Sequence, residues 1–148
     1  MAPIPREATR APRVETRGRA RALQALYAWD VRGAGPDLPR IATQLWDDLA
    51  VARDERRWAG RVVETLGTEG AQIDRSIAEI TTHWRLERLG AIERCVLRIG
   101  AAELWRRDTP PRVIIQEAVH LAERYGSDTS APFVNGVLDA LARQLGQL

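Results

Sequence analysis

The sequence predicts an all-α fold, a bundle of about seven helices. Apolar residues recur at i, i+3 and i+4 in segment after segment, and glycine or proline breaks separate those segments. No segment sustains the period-two alternation of β-branched residues that a half-buried strand requires. At 148 residues the chain fits one domain, which buries roughly 68–70% of the surface of its unfolded state without help from a disulfide or a metal.

Residues 1–15 contain three prolines and no apolar period, and they read as a mobile arm that can order on a partner. Thr16 can cap a first helix running to about Arg32, with Leu23, Leu26 and Tyr27 on one face and Gly33-Ala34-Gly35-Pro36 as its stop. A second helix follows Pro39 and carries Ile41, Leu45 and Leu49. A third opens at Asp54 with Trp58, Val62 and Leu66. Gly67 and Gly70 separate it from a fourth, marked by Ile73, Ile77, Ile80 and Trp84. Ile92, Val96, Ile99 and Leu104 define a fifth helix from about Ala91 to Arg107.

Pro110-Pro111 breaks the chain before a sixth helix, Val113 to Tyr125, closed by Gly126. The polar link Ser127-Asp128-Thr129-Ser130 leads to a seventh from about Pro132, with Phe133, Val134, Val137, Leu138 and Leu141 on its buried side. Asn135-Gly136 resembles a hairpin turn but falls inside this helical period. Gly136 is therefore expected at a close helix contact, at a cost of about 1 kcal/mol relative to alanine.

Composition narrows the function. Cys95 is the single cysteine, so neither an intramolecular disulfide nor a cysteine metal cluster can form, which fits a reducing cytoplasm. No apolar run approaches the roughly 20 residues that span a bilayer, and Met1-Ala2-Pro3-Ile4-Pro5-Arg6 lacks the apolar core of a signal peptide. A soluble cytoplasmic protein without a membrane partner is expected.

All 22 basic residues are arginine, and the formal net charge is +2. Residues 1–21 hold six arginines against Glu7 and Glu15, a local charge of +4 that leaves −2 for the remainder. The N-terminal end is thus the electrostatic candidate for nucleic acid.

Catalytic patterns are missing from the sequence: there is no Gly-rich phosphate loop, nucleophile elbow or Ser/His/Asp set. Glu117-Ala-Val-His120 has the Glu-x-x-His spacing of a carboxylate di-iron helix, but such a site needs a second copy, and His83, the other histidine, has Ile80 at the required position. No enzyme, cofactor or metal is expected.

On the first helix, Arg17, Arg21 and Gln24 fall within a sector of about 60°, while Leu23, Leu26 and Tyr27 face elsewhere. Arg19 lies nearer the apolar side at the first turn, where it can project past the core. Guanidinium forks pair with phosphates and stack on bases, and Tyr27 adds a stacking ring. Spacing alone leaves two readings open, an RNA-binding face and a solvated helix end.

Three segments resemble one family. Arg17-Gly-Arg19-Ala-Arg21-Ala-Leu23-Gln24-Ala-Leu26-Tyr27 resembles the arginine-rich first helix of NusB proteins, and the run from Trp84 to Arg98 resembles their central segment. Val113-Ile-Ile115-Gln-Glu117-Ala-Val119, followed by Phe133-Val134-Asn135-Gly136-Val137-Leu138-Asp139, is similar to their C-terminal hallmark. The match runs in order from about Arg17 to Leu145. Two departures stand out: the basic run Thr16-Arg17-Gly18-Arg19 is sparser than in many members, and Asp128-Thr129-Ser130-Ala131 precedes Phe133.

The resemblance implies a NusB-like bundle of two packed subdomains over residues 16–148. It implies a transcription antitermination factor that binds the boxA element of ribosomal RNA operon transcripts jointly with NusE, a ribosomal small-subunit protein, within the RNA polymerase antitermination complex. The implied RNA-binding residues are Arg17, Arg19, Arg21, Gln24, Tyr27 and Phe133. Glu87 and Glu93 would face NusE. Two alternatives stay open, an RNA-binding accessory module of ribosomal RNA maturation and a helical interaction module without RNA. The sequence also leaves a homodimer open.

Overall fold

The computed structural model describes residues 13–82 and 89–148. These form six helices and no strand: α1 (Val14–Val31), α2 (Leu38–Asp48), α3 (Arg53–Ile80), α4 (Ala91–Arg106), α5 (Pro111–Tyr125) and α6 (Ser130–Gln144). Helices α1 to α3 pack on one another, as do α4 to α6, and α4 joins the two sets by lying against α1 and α3. One apolar cluster runs through both.

Helix α4 is the axis of this arrangement. Every residue from Cys95 to Leu104 is buried, the signature of a helix surrounded by protein on all sides. Two charged side chains, Arg98 and Glu103, sit within that run, and each is paired. Gly100 permits the contact with α6: a Cβ there would fall 2.6 Å from Leu138 Cδ1. Cys95 is buried, and burial pushes its thiol pKa up to about 12, so it packs as an unreactive apolar group.

The third and fourth helices expected from the sequence are one helix, α3, of 28 residues. Val62, Leu66, Ile73 and Ile77 are all buried, and the seven-residue step from Leu66 to Ile73 keeps them on one face across Gly67 and Gly70. Two glycines cost about 1 kcal/mol each in a helix interior, less than the burial of this stripe returns. Trp84 lies outside the described residues.

Other expectations shift locally. Helix α1 begins at Val14, with no side-chain cap, inside the stretch expected to be an arm. Thr16 is its third residue, and its hydroxyl donates to Glu117 Oε1 at 3.2 Å. On α2, Trp46 is buried where Leu49 was expected; Leu49 follows the helix and is exposed. The Trp46 indole donates to the Arg21 carbonyl at 3.2 Å, tying α2 to α1. Asn135 and Gly136 do lie inside α6, but nothing comes within 4 Å of a Cβ built on Gly136. The tight glycine contact with α6 belongs to Gly100 on the facing helix.

Candidate nucleic-acid interface

Helix α1 presents two faces. The inner one carries the buried residues Gly18, Arg19, Ala22, Leu23, Ala25 and Leu26. Gly18 brings the helix against α3, since a Cβ at that position would lie 2.8 Å from Trp58 Cε3. The outer face carries Arg17 and Arg21, each about one-third exposed, and then Gln24 and Tyr27, both exposed.

The outer arginines are held from below. Glu55, buried in the first turn of α3, turns one carboxylate oxygen toward both of them, 3.3 Å from Arg17 Nε and 4.0 Å from Arg21 Nε. Arg21 Nη1 donates to Gln24 Oε1 at 3.1 Å, so three of the expected RNA-contacting side chains form one connected row. Tyr27, expected on the apolar face with Leu23 and Leu26, is instead 45% exposed while those two are buried, and it lies toward the C-terminal end of the helix. The row can offer guanidinium donors, an amide and an aromatic ring to a single strand.

Arg19 does not project past the core. It is 3% exposed, and its guanidinium makes a bidentate pair with Glu103 of α4, Nε to Oε2 at 2.9 Å and Nη2 to Oε1 at 2.6 Å. Its Cζ stands 4.7 Å from the centroid of the Trp58 ring, and Nη1 lies 3.9 Å from Glu117 Oε2. Burial raises the Glu103 pKa above the ordinary carboxylate value, against the lowering effect of the Arg19 hydrogen bonds. A guanidinium so enclosed joins helices and is withheld from a phosphate.

The other end of α1 is fastened by the opposite polarity. Asp30 accepts from Arg94 Nε and Nη2 at 2.8 and 2.6 Å and from Arg98 Nη1 at 2.9 Å, while Arg98 also binds Asp74 of α3. The hydrogen bonds from Arg94 hold the Asp30 pKa below its ordinary value. Sequence reasoning missed both clamps because the partners lie between 64 and 84 residues away.

Phe133 is half-buried at the start of α6, a helix that packs on α3, α4 and α5. Glu93 is also half-buried, and it accepts from Ser130 Oγ at 2.5 Å, an internal contact between α4 and α6. Glu87 lies outside the described residues. Glu117 is engaged by Thr16 and Arg19, His120 is exposed, and no cluster of three or more potential metal-ligating side chains occurs among the described residues. No described helix is long and apolar enough to cross a membrane.

Comparison with known proteins decides the family. The family model described as "NusB family" matches residues 16–143. The chain belongs to the NusB family. The transcription antitermination protein NusB of Sorangium cellulosum is 44% identical over 132 residues, covering 88% of this chain and 93% of that protein. Its counterpart in Anaeromyxobacter dehalogenans is 40% identical over 131 residues, covering 88% and 91%. Among solved structures, Thermotoga maritima NusB superposes with a TM-score of 0.80 at 32% identity, over 90% of this chain and 92% of that one. A structure of antitermination factors NusB and NusE in complex with double-stranded RNA gives 0.79 at 29% identity, over 90% and 99%. The NusB fold thus accounts for the described helices from α1 to α6.

Proposed function

We propose that this chain is a transcription antitermination factor that binds boxA RNA of ribosomal operon transcripts together with NusE, and acts within the RNA polymerase antitermination complex. The observation that carries the reading is the outer row of α1, in which Arg17, Arg21, Gln24 and Tyr27 stand outside the core on one rigid helix. Membership of the NusB family and the likeness to a NusB–NusE–RNA structure support it.

In this reading Arg17 and Arg21 take phosphates, Gln24 reads a base edge and Tyr27 stacks on a base. Phe133 contributes a second stacking surface from α6, and NusE docks near the start of α4, where the Glu93–Ser130 contact sets the position of α6. The chain acts by binding, without a catalytic step, in the cytoplasm.

The test is fluorescence anisotropy with a boxA RNA and a scrambled RNA, with and without NusE, at two salt concentrations. Preferential boxA binding, strengthened by NusE, is expected. With two phosphates neutralised, log K against log salt should fall with a slope of about −1.4. Equal affinity for both RNAs with NusE present contradicts the proposal.

A further inference from the structure

Glu55 is a buried acid placed directly beneath a proposed phosphate-binding row, where simple electrostatics would have a carboxylate weaken RNA binding. Its position follows from packing. The contact of Gly18 with Trp58 draws α3 close to α1, and Glu55, three residues before Trp58 on the same face of α3, rises between Arg17 and Arg21.

The same carboxylate oxygen faces Nε of both arginines, and Arg21 passes the order on to Gln24. An ion pair at the Nε edge, close for Arg17 at 3.3 Å and looser for Arg21 at 4.0 Å, narrows the rotamer freedom that a long side chain otherwise surrenders on binding. Holding it beforehand lowers the entropic cost of each phosphate contact. Asp54, its neighbour in the first turn, is exposed, lies 4.0 Å from Arg17 and accepts from the Glu55 backbone N–H at 2.8 Å.

We propose that Glu55 is a positioning residue of the RNA interface, a buried carboxylate that aligns Arg17, Arg21 and, through Arg21, Gln24 for phosphates and bases. The inference rests on the RNA reading of α1. It makes a prediction of opposite sign from charge counting. Glu55→Gln keeps the size of the side chain and removes a negative charge close to the RNA, which on electrostatics alone tightens binding.

On the positioning account, Glu55→Gln weakens boxA binding about tenfold and makes the salt slope shallower by about 0.7, the contribution of one phosphate, with helical content unchanged. Glu55→Asp, which restores the charge, recovers part of the affinity. Equal or tighter binding by a folded Glu55→Gln protein overturns the proposal while leaving the RNA reading intact, whereas wild-type protein without boxA preference removes both.

A second measurement needs no folded variant. In the wild-type protein, the Arg17 and Arg21 Nε–Hε groups should give resolved NMR signals with order parameters near those of the backbone. Signals averaged like those of free arginine side chains would overturn the alignment.

Discussion

Arg19 and the pair Arg17 and Arg21 are the same residue type within two turns of one helix, yet they occupy opposite environments. Arg19 is enclosed by Glu103, Glu117 and Trp58, while its neighbours line an open face above Glu55. The contrast teaches that local charge density is a poor measure of an RNA-binding surface. The N-terminal segment gains its +4 partly from a guanidinium that serves as internal structure.

The largest effect should come from the inner face. Arg19→Ala leaves Glu103 buried and uncompensated, and should lower stability by about 3–5 kcal/mol, read by urea denaturation. A loss below about 1 kcal/mol would place Arg19 with the surface arginines after all.

Asp30 tests the other end of the helix. Its substitution by Asn should cost about 2 kcal/mol at neutral pH, since three charge-assisted hydrogen bonds are lost or weakened. Because its folded pKa is depressed, this stability is present above the unfolded value of 3.8 and is lost as pH falls below it. The gap between wild type and Asp30→Asn should therefore narrow in acid unfolding experiments below that value. Glu103 has the opposite sign: its pKa is raised above 4.5, so its contribution declines as pH rises through the raised value.

Much of the fold was legible from apolar spacing, because the core stripes of α1 and α6 recur every three or four residues within one segment and α4 is apolar over most of its length. The continuity of α3 was hidden by two glycines, although the step from Leu66 to Ile73 preserves the phase and was the available signal. Side-chain fate was harder to read. The burial of Arg19 depends on Glu103 and Trp58, and the close approach at Gly100 depends on Leu138, none of which is near in sequence. In the candidate interface, Arg17, Arg21 and Gln24 were foreseen from the 100° helical step, while the carboxylate beneath them required the packing of α3 on α1.

The smallest expected effect separates Gly136 of α6 from Gly100 of α4. Gly136→Ala fills open space on α6 and should stabilise the protein by about 0.5–1 kcal/mol, whereas Gly100→Ala meets Leu138 and should destabilise it. Thermal melts of both variants check this, and a destabilised Gly136→Ala would contradict the open geometry at that position.

The division of labour along α1 is tested most directly by the Arg17→Ala/Arg21→Ala double variant, measured in parallel for boxA RNA affinity in the presence of NusE and for thermal stability. The account predicts affinity lower by about tenfold or more, a salt slope shallower by about 1.4, and a melting temperature within a few degrees of wild type. Unchanged RNA affinity in the folded double variant would contradict it.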